Sequence, residues 1–271
     1  MELEDFLSAK PVFTKRDVDQ YLDDAQPPGC WSRVTFVSRL RRAGRAIMVR
    51  RGLFVSVPGG VSPEAHDVDH YCVLASLTAD AVITHRTALE YHGLVEPDAG
   101  ELTYSAVRPL TQVSFRGKLY KGVKFPKSLI RSGRQHLLAV GGERLGQSLL
   151  VSTLERALVD ILDRPDLAGG WGPAGELLES VKSLDLDAVV DYVKALGNST
   201  TAAKVGYHLA GRVSDLGVAS RHLAELAALR PSQPHYLDRS RRRGGRLVPA
   251  WNLMVCRDEE RPAGQVFPPS A

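Results

Sequence analysis

The chain has 271 residues, 44% of them hydrophobic and 24% charged, with a formal net charge of +4. This composition is typical of a folded protein with its own core and excludes a chain that is disordered throughout. Cys30, Cys72 and Cys256 lie far apart without CxxC spacing, which argues against a disulfide framework and a zinc ribbon. No apolar run approaches the roughly 18 residues of a membrane span, and the acidic N-terminus lacks a signal-peptide pattern. We therefore expect a cytoplasmic protein with no membrane partner.

The first 58 residues are predicted to form a small domain of helices and a hairpin. Its elements are helices over 4–9, 15–22 and 33–43 and strands over 46–49 and 53–57. Thr14 and Ser32 are the predicted N-caps of the second and third helices, and Gly44 ends the third. Residues 50–52 form the turn of the hairpin. The order helix, helix, turn, helix, hairpin indicates a winged helix-turn-helix.

Positive charge is concentrated in this domain. Between Pro27 and Pro58 there is no acidic residue, and seven arginines occur there: Arg33, Arg39, Arg41, Arg42, Arg45, Arg50 and Arg51. Such a set produces a strong positive potential, which favours a polyanionic partner. The alternative is a solvated basic face, but such faces usually mix both signs of charge.

The third helix has the pattern of a DNA-reading helix. At about 100° per residue, its apolar side chains form one stripe: Phe36, Val37, Leu40 and Ala43. The opposite face carries Thr35, Ser38, Arg39 and Arg42. Arginine can donate two hydrogen bonds to guanine, and hydroxyl side chains reach bases or phosphates. We therefore predict that this helix lies in the major groove.

Other basic side chains are predicted to hold the phosphate backbone. Arg41 and Arg45 flank the reading face, and Arg33 begins the helix. Arg50 and Arg51, at a hairpin tip too basic to be buried, would lie along the backbone or in the minor groove. Phosphate is also favoured at the first turn of the second helix, which carries Lys15 and Arg16. The alternative for the domain is a winged helix that contacts protein.

The remainder of the chain is predicted to be a larger mixed α+β domain over 64–256, separated by a Pro- and Gly-rich linker at 59–63. Helices are expected over 68–79, 83–92, 153–162, 175–183, 186–196, 202–215 and 218–229. Antiparallel strands are expected over 102–125, with further strands at 149–151 and 247–255. Residues 257–271 are expected to be a flexible tail.

Two further basic regions are candidates for secondary nucleic-acid contacts. The first contains Lys118, Lys121, Lys124 and Lys127, and the second, in the run RSRRRGGR, contains Arg241, Arg242 and Arg243. Either region can bind DNA, RNA or an acidic protein, and either can simply keep a loop soluble.

The sequence offers no constellation typical of an enzyme. The glycine-rich run 141–148 lacks the lysine of a P-loop. His66 and His70 are four residues apart, as metal ligands on a helix would be, but a solvated helix start explains them better. Ion pairs with Arg156 and Arg164 explain the nearby carboxylates as well as a catalytic site would; these are Glu155, Asp160 and Asp163. We expect no catalytic residue, no cofactor and no metal.

Five segments together resemble the AbiEi-type antitoxins of type IV toxin–antitoxin systems, which act in abortive phage infection. They are LRRAGRAIMVRRGLFV, ITHRTALEYHGL, VSTLERALVDILDRPDLAGG, TAAKVGYHLAGRVSDLG and WNLMV. The resemblance extends from about residue 13 to 255, and its most specific piece is the block 155–170. The turn at 27–31 departs from the family pattern.

The resemblance implies a repressor that binds inverted repeats in its own promoter. It also implies a C-terminal domain that counteracts a nucleotidyltransferase-like toxin without forming a stable complex. Thr35, Arg39 and Arg42 match the recognition helix of the family, and Arg50 and Arg51 match its wing. Because inverted repeats require two copies, we expect a monomer or weak dimer that binds DNA cooperatively. The alternatives are a stand-alone regulator without a toxin, and an RNA-acting protein or enzyme with its site in the C-terminal domain.

Overall fold

The computed structural model describes residues 2–25, 32–97, 100–110, 112–238 and 245–256. Helices and strands are interspersed, so the fold class is α+β, as predicted. The chain forms two compact units: unit 1 is Met1–Ile83, Ala99–Lys124 and Val140–Val151, and unit 2 is Thr84–Asp98, Phe125–Ala139 and Ser152–Ala271. The segment 59–63 lies within unit 1, and the linear division of the chain at that segment stays a prediction.

The first part of unit 1 contains three helices and a three-stranded sheet. In chain order these are α1 (Leu3–Ala9), β1 (Val12–Thr14), α2 (Lys15–Ala25), α3 (Arg33–Arg42), β2 (Ala46–Arg50) and β3 (Leu53–Ser56). Strand β3 lies between β1 and β2, and both pairings are antiparallel. Both predicted caps form. The Thr14 hydroxyl oxygen accepts a hydrogen bond from the Asp17 amide at 3.3 Å, and the Ser32 hydroxyl oxygen accepts one from the Thr35 amide at 3.3 Å. Local sequence therefore sets where α2 and α3 begin.

An aromatic core joins these elements. Phe6 of α1, 2% exposed, lies at its centre. Its ring centroid is 4.7 Å from that of Tyr21, 5.5 Å from that of Phe13 and 6.4 Å from that of Phe36. Edge-to-face and tilted pairs of this kind contribute about 0.5–1.5 kcal/mol beyond the burial of their area. The core therefore holds α1, α2, α3 and the sheet in one arrangement.

The rest of unit 1 is a helix and a six-stranded mixed sheet. Its elements are α4 (His70–Ala75), β4 (Val82–Ile83), β5 (Glu101–Ala106), β6 (Gln112–Phe115), β7 (Lys118–Lys124), β8 (Ala139–Arg144) and β9 (Gln147–Ser152), and the strand order is β6-β7-β5-β4-β9-β8. The pair β6–β7 is antiparallel, but β5–β7 is parallel. The prediction of antiparallel strands over 102–125 is thus wrong for the pair β5–β7, because hydrophobic alternation determines which face is buried and not the direction of the partner strand. The helix predicted over 68–79 is also shorter than expected.

Unit 2 is mainly helical. Its elements are α5 (His85–Tyr91), α6 (Lys127–Arg131), α7 (Leu154–Asp163), α8 (Trp171–Glu179), α9 (Leu186–Leu196), α10 (Ser199–Ala210), α11 (Val213–Leu216), α12 (Ser220–Ala228), β10 (His235–Tyr236), β11 (Gly245–Val248) and β12 (Leu253–Cys256). The predicted helix over 202–215 divides into α10 and α11. The predicted strand over 247–255 is two antiparallel strands, because Pro249 and Asn252, whose φ is +49°, make a turn.

A buried ion pair organises unit 2 around α7. Arg156, 1% exposed, pairs with Asp160 at 3.3 Å and donates to the carbonyl oxygens of Gln135 and Leu137 at 2.9 and 2.8 Å. The Tyr192 hydroxyl donates to the second oxygen of Asp160 at 2.8 Å. Every charge in this network therefore has hydrogen-bond partners, as a buried pair requires.

We expect Arg156→Met to destabilise unit 2 by about 3–5 kcal/mol, because Asp160 would remain as a buried charge without its cation. Arg164→Met is the matched control. Arg164 pairs with Asp166 while 48% exposed, so its loss should cost no more than about 1 kcal/mol. Urea unfolding followed by the fluorescence of Trp171 and Trp251, both buried in unit 2, measures the difference. Equal losses in the two variants would contradict the assigned role of Arg156.

Candidate nucleic-acid interface

Helix α3 presents a continuous strip of side chains on the side opposite the core. Phe36, Val37 and Leu40 are buried. A sector of about 120° around the outer side carries, in angular order, Arg41, Val34, Ser38, Arg42 and Thr35, all exposed except the half-buried Ser38. Ser38, Arg42 and Thr35 lie most directly opposite the core, and Arg41 and Val34 lie toward one side of it. We call these five residues the α3 strip. Arg39 is exposed and lies at the edge of this strip.

The strip agrees in part with the reading face predicted from sequence. The predicted reading face was Thr35, Ser38, Arg39 and Arg42, with Arg41 flanking it. Three of these four residues lie on the strip, and the exposed Arg39 lies about 40° beyond Thr35. Val34 was not among the predicted site residues, because the reading face was sought among polar and charged side chains. Its position on the helical wheel, about 100° from Arg33, was the signal that could have found it.

Arg33 and Arg45 are engaged inside unit 1. The Arg33 guanidinium pairs with Asp19 of α2. Arg45 binds both oxygens of Glu4 at 2.6 Å and donates to the Val57 carbonyl oxygen at 2.9 Å. The hydrogen bond from Arg45 lowers the pKa of Glu4. The phosphate contacts predicted for Arg33 and Arg45 would therefore require these pairs to break or be shared.

The two arginines of the hairpin differ. Arg51 is exposed in the turn, whereas Arg50 is half-buried and donates to the Leu77 carbonyl oxygen at 3.0 Å. The expectation that the tip is too basic to be buried is therefore wrong for Arg50. The cause is a register shift between Met48 and Arg50, which breaks the alternation of side chains along β2.

The first turn of α2 lies against the hairpin turn. The Lys15 amide donates to the Gly52 carbonyl oxygen at 3.2 Å, and Gly52 adopts a φ of +90° that favours glycine. Lys15 and Arg16 are both exposed. With Arg51 they form a second set of cations, which we call the hairpin cluster.

The secondary basic regions do not form one patch within either unit. Strand β7 of unit 1 contains Lys118, Lys121 and Lys124, whereas Lys127 is the first residue of α6 in unit 2. Lys121 pairs with Glu101 at 3.2 Å. Arg241, Arg242 and Arg243 lie outside the described residues.

The residues considered for metal or phosphate chemistry have structural roles in unit 1. His66 precedes α4 and His70 begins it, so the two do not share a helix face, and the His70 ring nitrogen Nδ1 lies 2.5 Å from the Tyr120 hydroxyl. In the part of the chain that the structure describes, no three His, Cys, Asp or Glu side chains are grouped to hold a metal ion. The run 141–148 is the β8–β9 hairpin, whose turn contains Leu145 and Gly146.

The block 155–170 contributes to a cavity in unit 2 of about 710 Å³ that is lined mainly by charged and polar residues. Its lining includes Asp163, Arg164, Asp166, Gly169 and Gly170 from the block, and Asn198, Thr200, Lys204 and Asp238 from later in the chain. Arg164 binds both oxygens of Asp166 at 2.9 and 2.8 Å, and Asp163 accepts from Asn198 at 3.2 Å. Because Arg164 and Asp166 neutralise each other and Asp163 already accepts a hydrogen bond from Asn198, the cavity indicates no particular ligand.

Comparison with models of protein families and with curated proteins finds no match to this chain. Among the described helices, none combines the length and apolar character that crossing a membrane requires.

We expect Arg50→Ala to lower the stability of unit 1 by about 1 kcal/mol, because the Leu77 carbonyl oxygen loses a charged donor. Arg51→Ala, the matched control in the same turn, should change it by less than about 0.5 kcal/mol. Hydrogen exchange of the β2 and β3 amides measures both effects. Faster exchange in Arg51→Ala than in Arg50→Ala would show that the inward contact is unimportant.

Proposed function

We propose that residues 3–56 are a winged helix-turn-helix that binds double-stranded DNA, with α3 in the major groove and the β2–β3 hairpin as the wing. The α3 strip carries this proposal. It places hydroxyl and guanidinium groups along one face of a helix whose other face is held by the aromatic core. The element order and the sheet order β1-β3-β2 also support it.

Uncompensated charge is the second support. Arg41, Arg42 and Arg51 form no ion pair with any described residue. Arg33 and Arg45, in contrast, are neutralised by Asp19 and Glu4. Cations without a protein partner favour phosphate contacts, because binding releases the counterions condensed on the nucleic acid.

The side chains fall into two roles. Arg42, Thr35 and Ser38 would contact base edges, because they lie on the strip that a major groove can surround. Arg41 and the hairpin cluster would contact phosphates on either side and so orient α3 without reading sequence.

From the resemblance in sequence, we further propose that the chain represses its own operon through inverted repeats and counteracts a nucleotidyltransferase-like toxin through residues 64–256. No stable complex with the toxin is required. A stand-alone regulator of the same architecture is the alternative, and an adjacent reading frame for a nucleotidyltransferase distinguishes the two.

The first test measures binding of the purified chain to its own upstream DNA, to a scrambled duplex and to an RNA duplex of the same sequence across a salt series. We expect preference for the upstream DNA and a linear fall of log affinity with log salt. The deep, narrow major groove of the RNA duplex excludes α3, so RNA should bind weakly. Equal, weak binding to all three would refute the proposal.

We expect Arg42→Ala to weaken binding to the upstream duplex by about 1–3 kcal/mol and to reduce its preference over scrambled DNA. Arg51→Ala should instead weaken both duplexes similarly and reduce the salt slope by about 1. Arg230→Ala removes an exposed arginine of unit 2 and should change neither quantity. If the three variants behaved alike, the division into reading and positioning residues would be wrong.

We also expect the toxin-counteracting activity to survive the double substitution Arg42→Ala and Arg51→Ala, because that activity is assigned to residues 64–256. Growth of cells that express the adjacent nucleotidyltransferase together with each variant measures it. The toxin is expressed from a separate promoter so that its level stays constant. If the double variant then fails to protect the cells, DNA binding and neutralisation are not separable.

A further inference from the structure

Val34 is the most exposed large hydrophobic residue of the described chain. Its exposed fraction is 76%, followed by 64% for Leu145. It belongs to the α3 strip, where every other side chain is polar or charged. Single exposed apolar side chains are common on protein surfaces. Val34 is informative because it lies on the strip that we propose to enter the major groove, near the N-terminal end of α3.

Packing against the residues of unit 1 that the structure describes does not explain Val34. The core side of α3 is occupied by Phe36, Val37 and Leu40, each no more than 8% exposed. Valine is also less favourable than alanine in a helix, because its branched β-carbon loses freedom against the preceding turn. Val34 therefore contributes little to the stability of α3.

We infer that Val34 reads thymine, through contact between its methyl groups and the 5-methyl group of that base in the major groove. This inference rests on the proposed DNA-binding function and names one of its specificity determinants. The thymine methyl is the apolar group that bases present in the major groove. The single preferred χ1 rotamer of valine in a helix holds its methyl groups in place before binding, so little side-chain entropy is lost.

Val34 and Arg42 read different base pairs. They are eight residues apart on α3, which separates them by about 12 Å along the helix axis. The arginine selects guanine through two hydrogen bonds, whereas the valine selects thymine through the exclusion of water from two methyl groups. The α3 strip therefore combines a polar and an apolar determinant at its two ends.

The test replaces thymine by deoxyuridine in the upstream duplex, which removes the 5-methyl group and leaves base pairing unchanged. We expect wild-type protein to lose roughly fourfold in affinity for each contacted methyl, since one buried methyl group contributes about 0.8 kcal/mol. Val34→Ala should bind the thymine duplex as weakly as wild type binds the uracil duplex. The affinity of Val34→Ala should not fall further on the uracil duplex. Replacing one thymine at a time by deoxyuridine then locates the contacted base.

Leu145→Ala is the matched control, because it shortens another exposed apolar side chain of unit 1. It should keep the wild-type ratio between the two duplexes. Val34→Ala should also retain its fold, since alanine favours the helix, and circular dichroism checks this.

The outcomes separate the inference from the function on which it rests. If wild type shows no preference for the upstream duplex at any salt concentration, the proposed function fails and the inference fails with it. If that preference is present but the ratio of the affinities for the thymine and uracil duplexes is the same in wild type and Val34→Ala, DNA binding stands and the role of Val34 is overturned. If the affinity ratio exceeds one in wild type and Leu145→Ala but falls to one in Val34→Ala, the result supports both the proposed DNA binding and the role of Val34.

Discussion

The aromatic packing around Phe6 is the interaction on which the proposed DNA-binding surface depends. Phe6 contacts Phe13, Tyr21 and Phe36, so one side chain of α1 joins β1, α2 and α3. Because Phe36 is fixed by this cluster, rotation of α3 about its axis is prevented and the α3 strip faces outward. The orientation of the outer face of α3 is therefore a consequence of complementary packing on its inner face.

The basic side chains of this segment are divided between internal and external roles. Arg45 ties α1 to the end of β3 through Glu4 and Val57, and Arg50 holds the hairpin to the segment after α4 through Leu77. These contacts stiffen the scaffold, while Arg41, Arg42 and Arg51 remain available to an anionic partner. A rigid frame of this kind reduces the entropy lost on binding.

Predictions that depend on neighbours in the chain succeeded more often than those that depend on distant partners. The caps at Thr14 and Ser32 and the bounds of α9 followed from local hydrogen bonding and apolar period. The parallel pairing of β5 with β7 did not, because its partner is set by the whole sheet. In unit 2, Gly206 lies under the Trp251 ring, and a Cβ there would be 2.1 Å from it. This contact joins residues too far apart for any periodic pattern to reveal.

The sequence by itself determined the α+β class and the elements of residues 3–56, since these depend on local propensity. It also determined the arginine-rich, acid-free composition of the segment that contains α3, since this is a count of residue types. Only the tertiary structure decided which arginines face outward. Partners from distant parts of the chain, Glu4 for Arg45 and Leu77 for Arg50, turn two of them inward. It also decided that Val34 is exposed, because the burial of a side chain depends on what packs against it, and that is a property of the fold rather than of the residue.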